Sequence, residues 1–72
     1  MRYAVVIERM PNNYSAYVPD LPGCIATGAT LKDVERNIRE GIVFHIEGLR
    51  EDGLPIPEPQ TIAQVIDIDA VA

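Results

Sequence analysis

The stretch Val18-Pro-Asp-Leu-Pro-Gly-Cys24, followed at once by Ile25-Ala-Thr-Gly-Ala-Thr30, decides the fold of this 72-residue chain. Its two prolines fix their own backbone φ and favour extended geometry in the residue before each, so the stretch cannot be helical. Gly23 and Gly28 supply positions where φ can be positive. The stretch is therefore expected to leave one strand, turn, and enter another.

A helix is expected to begin directly after this stretch. Thr30 stands just before an apolar helical pattern, and Asp33 occupies the third helical position, which predicts an N-cap with a short-armed capping box. Apolar residues then recur at spacings of three and four, which predicts a helix over residues 31–52. The residues expected in its buried stripe are Leu31, Val34, Ile38, Ile42, Ile46 and Leu49. Gly53 is expected to end the helix, and Pro55 prevents its continuation.

Strands are expected on both sides of the proline stretch. Residues 2–10 are rich in β-branched side chains and apolar on both faces in the middle, which predicts a central strand. The turn sequence at residues 11–13 should return the chain over residues 14–18, and residues 24–29 add a third strand, which gives an antiparallel meander. Beyond an extended linker, a fourth strand is predicted around Ile62, Val65, Ile66 and Ile68. The predicted fold is α+β with one long helix and the order βββαβ.

The order of these motifs resembles the HicB-like antitoxins. The resemblance rests on two proline motifs and the helix start between them, and it spans roughly residues 1–69. The matching residues are Pro19, Asp20, Leu21, Pro22, Gly23, Gly28, Thr30, Gly53, Pro55 and Pro57. The resemblance implies a partial ribonuclease H-like fold whose last strand joins the sheet beside the first. Many family members continue into a DNA-binding region, whereas this sequence stops at Ala72, so direct nucleic-acid binding by this chain alone is not expected.

Length and composition predict a single cytoplasmic domain over residues 1–72. A chain this short buries only about 60% of the surface that it exposes when unfolded, so a homo-oligomer is expected. No apolar run is long enough to span a bilayer, and no leader sequence is recognisable. The net charge is −5, and every charged residue after Arg50 is acidic. Because nucleic-acid binding depends on Lys and Arg neutralising phosphates, this charge favours a basic protein partner instead.

Catalytic, metal-binding and cofactor-binding sites are not expected. Residues 23–30 approach a phosphate-binding loop, but Ala29 stands where its lysine would be. Two-metal nuclease chemistry needs a cluster of carboxylates. The acids on or near the strands are interpreted instead as solvated edge and turn residues: Glu8, Asp20, Asp67 and Asp69. The single cysteine, Cys24, and the single histidine, His45, cannot form a zinc site within one chain. Cys24 is interpreted as a small apolar strand residue and His45 as a partly buried, hydrogen-bonded residue, with an interface or pH-sensitive contact as the alternative for His45.

The first hypothesis from the sequence is a non-enzymatic antitoxin. The resemblance implies a partner like HicA, a small basic messenger-RNA interferase, which this chain would neutralise by covering its RNA-binding face. The residues expected to contact a partner or another copy are Phe44, Glu47, Glu51, Asp52 and Glu58. The alternative is a solitary homo-oligomeric scaffold or ligand-binding module of the same fold with no toxin partner. An enzyme ranks third.

Overall fold

The computed structural model describes residues 1–69. Three short strands and one long helix follow each other as β1 (Val6–Arg9), β2 (Tyr14–Tyr17), β3 (Ile25–Gly28) and α1 (Leu31–Glu51). The strands form one antiparallel sheet in the order β1-β2-β3. The α+β class, the three-stranded meander and the single long helix are therefore confirmed.

Strand β1 lies at an edge of the sheet, so the prediction that it is central is wrong. Its ladder with β2 begins at Val6, which pairs with Tyr17, and residues 2–5 precede the ladder. The ladder stops there because Val18 and Pro19, the next possible partners, already belong to the proline turn. The apolar pattern on both faces of β1 correctly predicts a strand, but it does not determine its place in the sheet. Within residues 1–69, only β2 pairs with β1.

The predicted fourth strand is not confirmed, and neither is the ribonuclease H-like arrangement. Residues 54–69 contain no helix or strand. The four apolar side chains that predicted the strand are between 69% and 98% exposed: Ile62, Val65, Ile66 and Ile68. A strand is stable only when its backbone groups pair with a neighbouring strand, and in the described part of the chain this segment has no such neighbour.

The proline turn builds the core. Its backbone folds back on itself, since the Val18 amide donates to the Cys24 carbonyl at 3.1 Å and the Cys24 amide donates to the Leu21 carbonyl at 3.0 Å. Gly23 completes the turn with a φ of 84°, as predicted. These hydrogen bonds place the side chains of Val18, Leu21 and Cys24 in the core, against the helix. The buried core consists of Ala16, Val18, Leu21, Cys24, Val34 and Ile38.

The helix begins where the sequence predicts, but only half of the capping box forms. The Thr30 side chain accepts a hydrogen bond from the Asp33 amide at 3.1 Å. The Asp33 carboxylate pairs with Arg36 at 3.2 Å. Gly28 does not have a positive φ, so that prediction is wrong. Glycine is required there for space, because a Cβ would overlap the backbone nitrogen of Val34 and lie 2.8 Å from its Cα.

The buried stripe of the helix is narrower than predicted. Val34 and Ile38 are buried, whereas Ile42 is half-buried and Leu31 is 47% exposed, so Leu31 does not belong to the stripe. The reason is that α1 packs mainly on β3 and β2, which leaves part of its apolar face beside β1 uncovered. Within residues 1–69, no helix has the length and apolar character needed to cross a membrane.

Gly53 ends the helix as predicted. Its φ is 66°, its amide donates to the Arg50 carbonyl at 3.1 Å, and the Leu54 amide donates to the Leu49 carbonyl at 2.9 Å. These two bonds define a Schellman motif, in which a left-handed residue lets the following amides satisfy the last helical carbonyls. The chain therefore leaves the helix in a fixed direction and enters the proline-rich linker.

Candidate partner-binding surfaces

Three of the predicted interface residues share one exposed side of the helix. Phe44, Glu47 and Glu51 follow each other at spacings of three and four, so their side chains lie along one face, together with Glu40 one turn earlier. We call these four residues the acidic ridge. Phe44 is 79% exposed, which leaves a large aromatic side chain in solvent among carboxylates. Exposed aromatic residues of this kind are typical anchors of protein interfaces.

The acids near the end of the helix stand where folding alone disfavours them. Glu51 is the last helical residue, Asp52 is the C-cap, and both are exposed. The negative end of a helix dipole favours a cation there, as Arg50 provides, and a carboxylate loses an interaction of about 0.3–1 kcal/mol. Their position at the end of the helix therefore does not add to its stability.

Glu58 lies in the linker rather than on the acidic ridge. The preceding residue, Pro57, accepts a 2.6 Å hydrogen bond from the Tyr3 hydroxyl through its carbonyl. Burial raises the pKa of Tyr3 above its ordinary value of 10.0, and the negative charges of Glu58 and Asp20 raise it further. Pro57, a residue of the second proline motif, is thus attached to the N-terminal segment of the chain.

Asp20 joins the first proline motif to the second, and the sequence did not predict this. One carboxylate oxygen accepts from the amides of Gln60 and Thr61, each at 2.9 Å, and the other accepts from the Thr61 hydroxyl at 2.8 Å. We call these three bonds the Asp20 clamp. They hold the pKa of the Asp20 carboxyl below its usual range, the amide of Thr61 having the largest effect. The interpretation of Asp20 as a solvated turn residue is therefore wrong.

An apolar cleft of about 260 Å³ lies between β1 and α1. Its walls are Val5 and Ile7 from the strand side and Ile38 and Ile42 from the helix side, with Glu35 and Arg39 also lining it. We call it the β1 cleft. It arises because the helix does not extend over the edge strand, and no residue was assigned to it from the sequence.

Cys24 and His45 are the single cysteine and histidine of the chain, and neither is freely exposed. Cys24 is buried, and burial raises the pKa of its thiol above the ordinary value, which disfavours the nucleophilic thiolate. His45 is half-buried on the helix. Across residues 1–69, no three His, Cys, Asp or Glu side chains come together in a way that could hold a metal ion.

Proteins with similar sequences occur in a phage, a bacterium and an archaeon. An uncharacterised 14.9 kDa protein in the rep-hol intergenic region of Haemophilus phage HP1 is 42% identical over 67 residues, which cover 93% of this chain and 50% of that protein. A UPF0150 protein of Helicobacter pylori is 41% identical over 68% of this chain and 68% of its own length. A UPF0150 protein of Thermoplasma acidophilum is 40% identical over 79% and 84%, respectively. The chain thus spans about half the length of its phage relative.

A solved structure has a similar fold. A chain from a HicA3 and HicB3 toxin–antitoxin complex superimposes with a TM-score of 0.72 and 33% sequence identity, over 82% of this chain and 70% of that one. In addition, the family model described as HicB_like antitoxin of bacterial toxin–antitoxin system matches residues 3–71, which include both proline motifs and the helix between them. This chain therefore belongs to the HicB-like antitoxin family.

Proposed function

We propose that this chain is a non-enzymatic antitoxin that neutralises a small basic HicA-type messenger-RNA interferase by covering its RNA-binding face. Family membership and the similarity to a chain of a toxin–antitoxin complex support the antitoxin role. The observation that carries the proposed mode of binding is the acidic ridge, where exposed Phe44 stands among carboxylates on a rigid helix. The proposal places both proteins in the cytoplasm, where messenger RNA is found.

The acidic ridge can supply both parts of such an interaction. Carboxylates attract a basic surface over a distance and raise the association rate, an effect that falls with ionic strength. Phe44 would enter an apolar pocket of the partner and limit dissociation, as aromatic anchors commonly do. A basic toxin whose RNA site is covered in this way cannot bind the phosphate backbone of its substrate, so inhibition needs no catalysis by the antitoxin.

The test is inhibition of RNA cleavage by the HicA-type toxin that the proposal expects in the neighbouring reading frame, together with binding measured at two salt concentrations. Phe44→Ala should weaken binding by about 30-fold, mainly through faster dissociation. The matched control is Val43→Ala, because Val43 is also an exposed helical residue, at 53%, but lies off the ridge. Equal losses for the two variants would contradict the assignment of the ridge.

Charge reversal tests the electrostatic part separately. Glu47→Lys with Glu51→Lys should slow association by about 10-fold at low salt and much less at high salt, since screening removes the difference. Glu8→Lys is the control for Glu47→Lys alone, because the two single variants change the net charge equally and Glu8 is an exposed residue of β1. Asp52 and Glu58 are assigned weaker contributions at the margin of the surface, so their alanine variants should change affinity less than Phe44→Ala does.

The alternative is a homo-oligomeric scaffold or ligand-binding module with no toxin. The exposed apolar side chains of residues 62–68 favour self-association, although they do not argue against a toxin. The neighbouring reading frame distinguishes the two functions: a short basic toxin gene beside this one supports the antitoxin. If no neighbouring product binds the chain and no basic protein co-purifies with it at low salt, the alternative replaces the antitoxin proposal.

A further inference from the structure

The last described segment of the chain is apolar and belongs neither to the sheet nor to the helix. We call residues 62–69 the tail. In an extended conformation its side chains alternate between two faces, so Ile62, Ile66 and Ile68 lie on one face, whereas Val65 lies on the other with Asp67 and Asp69. The first three are 83%, 69% and 79% exposed. An exposed β-branched face of this size is typical of a strand that pairs with a partner.

The sheet offers one open edge that such a strand fits. β1 is bonded on one side to β2, and in the part of the chain that the structure describes its other side has no strand beside it. No lysine or proline protects this edge, which reads Val6-Ile-Glu-Arg9. The opposite edge, β3, is partly occupied, since the Asn37 side-chain amide donates to the Thr27 carbonyl at 2.8 Å.

The β1 cleft lies where the apolar face of an added strand would point. Adjacent strands are about 4.8 Å apart, and their side chains share the two faces of the sheet. A strand placed beside β1 would therefore direct every second side chain to the helix side, next to Val5, Ile7 and Ile42. Isoleucine side chains from the tail match this apolar lining.

The conformation of the tail favours pairing between chains over pairing within one. The Asp20 clamp holds Gln60 and Thr61, and Thr61–Ala63 share a shallow surface pocket with residues 2–4. From there the tail leaves the domain, so the molecule extends over 54 × 27 × 16 Å with a radius of gyration of 14.5 Å. A compact chain of this length would have about 11 Å. The tail thus projects from the body at the clamp while its own β1 cleft stays open.

We propose that the tail of one chain adds as a fourth strand to the β1 edge of a second copy, with Ile66 and Ile68 in that copy's β1 cleft, and that the exchange is mutual. The result is a symmetric dimer in which each copy donates one strand and receives one. This inference goes beyond the antitoxin proposal and does not depend on it, because it involves only this chain.

The first experiment is light scattering of the 72-residue chain over a wide concentration range, without toxin. The chain should have twice its 7.9 kDa mass, and a variant truncated after Thr61 should be a folded monomer by circular dichroism. A wild-type monomer at all concentrations overturns the proposal, and so does a truncated chain that still forms the dimer.

Adjacent tail residues provide a matched pair of variants. Ile66→Asp should raise the dissociation constant of the dimer by more than about 10-fold, because it places a charge in the apolar cleft, whereas Val65→Asp on the solvent face should change it by less than about 3-fold. Both positions are exposed within the chain, so neither variant affects the folding of the domain itself. Equal effects of the two variants overturn the proposed face.

Disulfide trapping separates exchange between chains from pairing within one. Chains carrying Ile7→Cys are mixed with longer, tagged chains carrying Ile66→Cys or Ile68→Cys, all in a Cys24→Ala background. A disulfide of the mixed mass for at least one pair supports the proposal, whereas a disulfide that forms only when both cysteines are in one chain overturns it. A chain that stays monomeric until the toxin is added also overturns it, and leaves the antitoxin proposal intact.

Discussion

The proline junction (residues 18–30) buries three of its apolar side chains, whereas the four large apolar side chains of the tail are exposed. Val18, Leu21 and Cys24 are at most 4% exposed, whereas the apolar residues of the tail are at least 69% exposed. The junction closes its own backbone hydrogen bonds and points its side chains under the helix. The tail has apolar residues in a strand pattern but no strand within the described chain to pair with. Burial thus depends on whether the backbone hydrogen bonds of a segment are satisfied within the chain, as much as on hydrophobicity. Apolar side chains in a segment without such partners stay exposed and are available for association.

The sharpest test of this contrast removes the same kind of side chain from each region. Leu21→Ala should lower the free energy of unfolding by about 2–5 kcal/mol, because Leu21 is completely buried and its loss leaves a cavity. For a domain this small, that is a large part of the total stability. Urea unfolding followed by circular dichroism at a fixed protein concentration measures it. The control, Val65→Ala, should change stability by less than about 0.5 kcal/mol. If Leu21→Ala lowers the free energy of unfolding by less than about 1 kcal/mol, the contrast between the junction and the tail is contradicted.

A second test concerns the space at the end of the junction. Gly28→Ala should destabilise the domain by about 1–3 kcal/mol, since the new Cβ meets the rigid backbone at Val34 and one of the two elements must shift. Gly48→Ala is the opposite case, because nothing lies within 4 Å of a Cβ there. It should stabilise the helix by up to about 1 kcal/mol. Thermal unfolding of both variants measures the two changes in stability. If both changes have the same sign, the backbone at Val34 yields to the new Cβ at position 28 and the contact is not rigid.

The helix cap should give a smaller effect. Thr30→Ala removes the acceptor for the Asp33 amide and should cost about 1 kcal/mol, whereas Thr30→Ser keeps the hydroxyl and should restore most of the loss. Urea midpoints of the two variants provide the measurement. If Thr30→Ser is as destabilising as Thr30→Ala, packing of the threonine methyl group, rather than the cap, accounts for the role of this residue.

The Asp20 clamp should have the smallest effect on global unfolding and a clear local one. Because folding lowers the pKa of Asp20 from its ordinary value of 3.8, the clamp contributes fully above that value and is lost as pH falls through the lowered pKa. Amide hydrogen exchange at Gln60 and Thr61, corrected for its intrinsic pH dependence, should therefore lose protection below about pH 4. Asp20→Asn should remove most of this protection at neutral pH. Asp67→Asn is the control and should leave both amides unchanged.

Sequence patterns predicted the elements that depend on local signals. The three strands, the Thr30 cap and the Gly53 stop were found because proline, glycine and apolar spacing act within a few residues. The prediction that β1 is central was wrong because the position of a strand in a sheet is not a local property. An apolar pattern indicates that a segment is a strand, but it does not indicate how many other strands pair with it. Gly28 was correctly singled out and wrongly explained, since the close approach to Val34 is a tertiary contact.

The candidate surfaces were predictable to different degrees. Phe44, Glu47 and Glu51 could be placed on one exposed face because helical spacing alone determines which residues share a side. The Asp20 clamp could not be found in this way, since its partners lie 40 and 41 residues further on and two of its three bonds go to backbone amides, which leave no trace in a sequence. The β1 cleft was missed because it results from where the helix stops covering the sheet, a matter of packing between elements.

The Asp20 clamp also restricts which substitutions the linker can accept. Prolines occur at every second position, at 55, 57 and 59, and the next position in this alternation is 61, which is a threonine. The clamp uses the amide hydrogens of Gln60 and Thr61, which proline lacks. Because two of its three bonds go to main-chain groups, most other side chains would be acceptable at position 60. The alternating prolines therefore end just before the two positions whose amides donate to Asp20. Proline is excluded from both 60 and 61 because it has no amide hydrogen.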